Sequence, residues 1–253
     1  MKMLDASRIR RAGALIPCTN AMIEIEFNRV LPKHYQLHVA RLRMGPISEE
    51  GWRMQDADID YQARLLGSVK VEFVVLAQTN ASFFAPGYDD EVTRRITAAC
   101  GAPASTSGRL TAEAVKSLGA RRIAFISPYS DELNERGRAY YKAEHGLDVV
   151  AVETFGQPPT ADAVNDMKPA VAEAAMQRAD SPAVEAFIVA GGALPTLQLI
   201  AEWEKRFGKP VVTTNQAAMW AIFNALGRGE SLPGHGRLLE GAQTWRAGLE
   251  FRA

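Results

Sequence analysis

A chain of 253 residues, 47% hydrophobic and 23% charged, is long enough to bury one large core or two ordinary ones. Its 29 basic and 29 acidic residues cancel, so no global field favours nucleic acid or an anionic membrane, and no apolar run approaches the roughly 18–20 residues that cross a bilayer. Two cysteines, Cys18 and Cys100, make no disulfide framework, and Met1-Lys2-Met3-Leu4-Asp5 lacks the apolar stretch of a secretory signal, so a reduced, cytoplasmic protein is expected.

In chain order, apolar runs with strand character fall at about 12–18, 36–42, 72–77, 122–127, 148–154, 186–190 and 210–214. Amphipathic segments predict helices at about 20–30, 51–66, 88–99, 109–118, 130–145, 161–178, 195–207 and 216–227. Cys100 is expected to begin a buried strand. Ser107-Gly108-Arg109-Leu110 opens a helix that Gly119 closes, with Thr111 and Glu113 near its start. Strand–helix alternation at these lengths means βαβ units and a parallel sheet. Gln157-Pro158-Pro159-Thr160 and Ser231-Leu232-Pro233-Gly234 read as short loops, and no low-complexity linker separates modules.

Three segments recur in the same order about 110 residues apart. Arg10-Arg11-Ala12-Gly13-Ala14-Leu15-Ile16-Pro17 parallels Arg121-Arg122-Ile123-Ala124-Phe125-Ile126-Ser127-Pro128. Val71-Glu72-Phe73-Val74-Val75-Leu76-Ala77-Gln78 parallels Val184-Glu185-Ala186-Phe187-Ile188-Val189-Ala190-Gly191. Gly101-Ala102-Pro103 before Ser105-Thr106-Ser107 has a counterpart in Gly208-Lys209-Pro210 before Thr213-Thr214-Asn215. The expected fold is therefore α/β, with two similar βαβ-type domains whose parallel sheets are related by a pseudo-twofold axis and whose active site lies between them. Residues 1–107 plus 217–253 form the first half and 108–216 the second.

The familiar chemical motifs are missing: no Walker loop, no GxGxxG after the first strand, no CxxC, HExxH or GxSxG. His34, His38, His145 and His235 show no metal-ligand spacing, so no metal site is expected. What remains is small polar residues at strand ends: Cys18-Thr19-Asn20, Gln78-Thr79-Asn80, Tyr129-Ser130, Gly191-Gly192 and Thr213-Thr214-Asn215-Gln216. In open α/β sheets ligands bind at the carboxyl ends of strands, where hydroxyls, amides and N–H groups collect anions. Any one of these residues is equally explained as a helix cap. Five such ends together describe a pocket for a small carboxylate.

At these residues the chain resembles a known family. Ile16-Pro17-Cys18-Thr19-Asn20-Ala21-Met22-Ile23-Glu24-Ile25-Glu26-Phe27 is similar to the opening motif of maleate cis–trans isomerases. So are Leu118-Gly119-Ala120-Arg121-Arg122-Ile123-Ala124 leading to Ser127-Pro128-Tyr129 and Asn134, then Pro210-Val211-Val212-Thr213-Thr214-Asn215-Gln216-Ala217 with Trp220, and Gly236-Arg237-Leu238-Leu239. The likeness runs from about residue 10 to 240. It points to the Asp/Glu racemase superfamily, with maleate isomerases and arylmalonate decarboxylases as nearest kin, and it implies two facing α/β domains and cofactor-independent chemistry.

That superfamily uses a cysteine at one or both duplicated strand ends, and aligned on the motifs these fall at Gln78 and Gly191. Neither thiol is present. Cys18, two residues before Asn20, is the candidate for a relocated thiol; its other reading is a small buried apolar residue. Gln78 could orient a water, but an amide is not a base. The carboxylate-binding positions are kept: the resemblance implies substrate contacts at Asn20, Thr79, Asn80, Tyr129, Gly191 and Gly192. A further family asparagine, after the strand ending near Phe155, has no match. Two functions stay open: an isomerase or decarboxylase with non-standard acid–base groups, or a catalytically silent carboxylate binder similar to the ectoine-utilisation protein of this superfamily. A cysteine restored at Gly191 is expected to create or raise arylmalonate decarboxylation. The expected partner is a small carboxylate, with no nucleic acid, membrane or cofactor; self-association into a homo-oligomer stays open.

Overall fold

The computed structural model describes residues 8–45, 49–156, 158, 160, 162–227 and 230–241. Residues 1–7, the 242–253 end of the expected first half, and Gln157 and Pro159 of the proline loop lie outside the described residues. The strands form two four-stranded parallel sheets. The first contains β1 (Arg10–Pro17), β2 (Tyr35–Leu42), β3 (Phe73–Leu76) and β4 (Ala104–Thr106) in the order β2-β1-β3-β4. The second contains β5 (Arg122–Ser127), β6 (Asp148–Thr154), β7 (Ala186–Val189) and β8 (Val211–Thr213) in the order β6-β5-β7-β8. Each sheet therefore repeats the other's order.

Alternation along the strands explains how the sheets are covered. Ala12, Ala14 and Ile16 of β1 face the same way as Phe73 and Val75 of β3, and Ala12 lies beside Phe73 in register. These residues belong to one apolar core that continues through Phe125, Phe187 and Trp203 of the second half and through Met219. Leu15, Val74 and Leu76 point to the opposite face and pack under α2 (Glu49–Ser68) and α3 (Tyr88–Cys100). Burial on both faces is why β3 and β7 read as continuous apolar runs.

The repeated sequence segments are also repeated interactions. Glu72 accepts from the Arg11 N–H (2.9 Å), and Glu185 accepts from the N–H groups of Arg121 and Arg122 (2.8 Å each), so the arginine pair and the Val-Glu pair clamp equivalent strand starts. Gly101 (φ +76°) and Gly208 (φ +69°) close α3 and α7 (Ile200–Phe207) in the left-handed conformation that glycine tolerates. After β4 and β8, Thr106 and Thr213 each cap a helix, accepting from the N–H groups of Arg109 and Gln216. Those helices are α4 (Ser107–Ser117) and α8 (Thr214–Ala225), which pack against each other.

Several local expectations are corrected. β4 was not anticipated, because three small or polar residues give no apolar run. Cys100 does not start a strand: it ends α3, half-buried, its Sγ within 3.4 Å of the Ala102 oxygen. Thr106 caps α4; Thr111 instead bonds the Gly108 carbonyl and the Tyr141 hydroxyl. The helix expected over 161–178 divides into a 3-10 turn, Asp162–Asp166, and α6 (Ala170–Ala179), with Pro169 at the boundary. The helix expected from 195 begins at Ile200, and the N–H groups of Thr196 and Leu197 ahead of it are taken by a side chain from another element.

Candidate active site

The carboxyl ends of β1, β3, β5 and β7 open onto one cleft, which residues following strands of both sheets line. Gln78, one residue beyond Ala77 after β3, and Gly191, two beyond β7, both line it. The remaining wall includes Asn20, Thr79, Asn80, Tyr129 and Gly192, together with Ser107, Thr214 and Asn215. Counting Thr19 and Gln78, nine polar side chains from five chain segments thus converge in one cavity.

The turn after β3 continues as a 3-10 helix, Thr79–Phe83. Gln78 Nε2 donates to Asn80 Oδ1 at 2.6 Å. Farther along, Ser82 Oγ donates to buried Asp89 Oδ1 (2.6 Å), and the Tyr140 hydroxyl from α5 (Asp131–His145) donates to Asp89 Oδ2. Phe83 sets its edge against Tyr129 and Phe125. The turn bearing Thr79 is therefore fixed from beneath by a buried carboxylate and an aromatic cluster. Burial pushes the Tyr129 hydroxyl well above the ordinary phenol range, a shift the Thr79 side chain partly offsets, so Tyr129 is a neutral hydrogen-bond donor at physiological pH. Its backbone is pinned as well: Tyr129 N–H donates to Ser127 Oγ (3.1 Å) and Asn134 Nδ2 donates to the Tyr129 carbonyl (3.3 Å).

The turn after β7 is built differently. Gly191 takes φ +100°, and a Cβ there would lie 3.2 Å from Pro128 Cδ and Cγ and 3.3 Å from Phe155 Cζ. A Cβ on Gly192 would meet Asn215 Oδ1 at 2.8 Å. Among the described residues, the N–H groups of Gly192 and Ala193 have no acceptor, leaving them for a ligand beside the left-handed Gly191. Glu26, from α1 (Met22–Val30), holds this turn. Its Oε1 accepts from Thr196 and Leu197 N–H (2.7 Å each) and its Oε2 from Asn215 Nδ2 (2.7 Å); Asn215 Nδ2 also donates to the Gly192 carbonyl at 2.9 Å. Burial raises the Glu26 carboxyl above its ordinary value, against the opposing pull of those donors.

Asn20 connects the two sides. Its Oδ1 caps α1 by accepting from Met22 N–H (3.0 Å) and Ile23 N–H (3.2 Å), which leaves Nδ2, near Gly192, as the group available to a ligand. The loop carrying it is held by Arg41, whose Nη1 donates to the carbonyls of Cys18 (3.0 Å) and Asn20 (2.9 Å). Asn165 of the second half holds it from the other side, donating to the Thr19 carbonyl at 2.8 Å and accepting from Ala21 N–H at 3.2 Å.

The structure thus gathers Asn20, Gln78, Thr79, Asn80, Tyr129, Gly191 and Gly192 in one cleft. It does not bring Cys18 there: Cys18 is solvent-exposed and absent from the cleft wall. Cys100 lies on the outer layer of the first sheet. Among the described residues lining the cleft, Tyr129 is the one titratable side chain. Sequence reasoning missed Glu26, Arg41 and Asn165 as supports, and Ser107 as wall. Ser107 was findable, since it occupies in the first repeat the place of Thr214 in the second. The Gly236-Arg237 motif proves structural: Glu204 Oε2 accepts from Arg237 N–H (2.8 Å) and Gln216 Nε2 donates to the His235 carbonyl (2.8 Å).

Comparison with known proteins agrees with this architecture. A family model described as arylmalonate decarboxylase matches residues 12–239. An arylmalonate decarboxylase from Bordetella bronchiseptica is 28% identical over 237 residues, 90% of this chain and 95% of the relative. A maleate isomerase from Pseudomonas putida, solved with maleate, gives a TM-score of 0.86 at 26% identity, covering 92% of this chain and 98% of that one. A Nocardia farcinica maleate cis–trans isomerase holding a covalently bound succinylcysteine intermediate gives the same TM-score, 0.86, at 26% identity over 92% and 98% of the two chains.

Proposed function

This chain belongs to the arylmalonate decarboxylase family, and on that premise we propose that it holds a small carboxylic acid between its halves and decarboxylates it without a cofactor. One observation carries the reading: the cleft is lined with neutral donors and offers no thiol. Thiolate addition to a double bond needs a nucleophile, and racemisation needs a base to take a proton from carbon. Decarboxylation needs neither. The bond to the departing carboxylate breaks, CO2 leaves, and its electron pair passes into the retained carboxylate as an enediolate; water then supplies a proton to the carbon. Tyr129, Thr79, Asn20 Nδ2 and the Gly192 N–H are donors suited to the charge that builds on the retained oxygens, each worth roughly 3–4 kcal/mol in such a role.

Release of CO2 from malonate, methylmalonate and phenylmalonate tests the reading, with maleate and aspartate as controls. The expected result is CO2 from a malonate, with neither isomerised maleate nor racemised aspartate. Isomerisation of maleate would sink it. The missing thiol equally favours a catalytically silent carboxylate binder, and thermal stabilisation by a malonate without CO2 release selects that reading; a ligand at 100 times its Kd stabilises by about 2.7 kcal/mol.

A further inference from the structure

We propose that the Gln78–Asn80 pair is a recognition edge for an amide-type group, so that the ligand carries a carboxamide or ureido function beside its carboxylate. The inference rests on the carboxylate-binding reading of the same cleft, though not on the reaction. Both side chains line the cleft, and they are bonded to each other, Nε2 to Oδ1, at 2.6 Å. Two amides hold four N–H bonds and two oxygens, and one mutual bond uses one of each. Among the described residues neither side chain has another hydrogen-bond partner. The pair therefore presents one amide oxygen and one amide nitrogen to the cavity. Turning both amides over exchanges which residue supplies which and leaves the same inventory.

This edge stands where the sequence resemblance places a family thiol. A carboxylate brings acceptors only, so it would leave the exposed amide oxygen facing another oxygen with its water removed. A carboxamide or ureido group brings an N–H to that oxygen and a carbonyl to the amide nitrogen. Sites built to hydrogen-bond a donor reject analogues that lack it far more strongly than apolar pockets reject a change of size. The other donors, Tyr129, Thr79, Asn20 Nδ2 and the Gly192 N–H, are left to take the carboxylate. A malonate bearing a ureido or carboxamide substituent would satisfy both this edge and the proposed reaction.

Calorimetric titration of the full chain with matched pairs, malonate against malonamate and succinate against succinamate, reads the inference directly. The half-amide should bind about tenfold or more tightly than its dicarboxylate, and Gln78→Met should bring the two within about twofold. Gln78 has an ordinary extended backbone (φ −136°) and is not fully buried, so the substitution suits the fold, and the thermal midpoint of the variant checks this. If wild type binds a dicarboxylate as tightly as its half-amide, the amide inference fails while the carboxylate cradle stands. A preference that persists in Gln78→Met also overturns it. If no member of either pair binds, the cradle reading itself fails and takes the inference with it.

Discussion

The turns after β3 and β7 occupy equivalent places in two sheets of the same order, yet they meet the cleft in opposite ways. The first presents side chains, Gln78, Thr79 and Asn80, on a backbone of ordinary conformation. The second presents almost no side chain; Gly191 is left-handed and hemmed in by Pro128 and Phe155, and the N–H groups of Gly192 and Ala193, which line the cleft, have no acceptor among the described residues. Each is braced by a buried carboxylate, but Asp89 receives hydroxyls from Ser82 and Tyr140, whereas Glu26 reaches across from the first half to backbone N–H groups of the second. The two halves share a scaffold but differ at this point, one turn offering side chains to the cleft and the other mostly backbone.

The largest expected effect comes from cutting the second brace. Glu26→Ala leaves Thr196 N–H and Leu197 N–H without their acceptor, removes one of the two acceptors of Asn215 Nδ2, and should destabilise by about 3–5 kcal/mol in urea unfolding. A loss under about 1 kcal/mol would mean that the second turn holds itself.

Next, restoring a thiol at each turn should give unequal results. Gly191→Cys forces a side chain onto φ +100° with contacts at 3.2 Å and should cost about 2–3 kcal/mol. Gln78→Cys, at φ −136°, should cost less than about 1 kcal/mol. Gln78 is thus the more promising place to introduce a thiol, and equal costs would erase the contrast between the turns.

A smaller effect sharpens the comparison at the helices that follow. Counted from their capping threonines, Glu113 of α4 occupies the position of Trp220 in α8, and its Oε2 is buried without a partner among the described residues. Burial raises its carboxyl from 4.5 to about 7. The folded state therefore favours the neutral acid, and this stability is full below about pH 4.5 and is lost as pH rises through about 7. Glu113→Gln should leave stability at pH 4.5 nearly unchanged and raise it at pH 8 by about 1–3 kcal/mol relative to wild type. An unchanged difference across that range would show that Glu113 ionises freely.

Much of this was legible in the residues. The repeated arginine pairs, Val-Glu pairs and Gly-Pro turns are repeated contacts, so the two-sheet fold could be read from them. So could the cleft side chains, because small polar residues ending apolar runs are visible as a pattern. The illegible parts depend on distance in space. Glu26 is separated from Thr196 by 170 residues and Asn165 from Thr19 by 146. The left-handed Gly191 looks in sequence like any strand-ending glycine. Cys18, judged from its neighbour Asn20, faces solvent, since a turn reverses side-chain direction within two residues. Tyr129 belongs to the core as much as to the cleft, packed against Phe83 and Phe125, although sequence placed it at the cleft alone.

The most direct measurement is calorimetric titration of malonate into wild type and Tyr129→Phe. The substitution keeps the buried ring and removes only the hydroxyl, so the fold should hold while one donor is lost. Saturable binding to wild type, weakened in the variant by about 1–3 kcal/mol, or roughly 5- to 150-fold in Kd, is the predicted result. Equal affinity in both proteins, or no binding to either, would contradict a carboxylate held in this cleft by neutral donors.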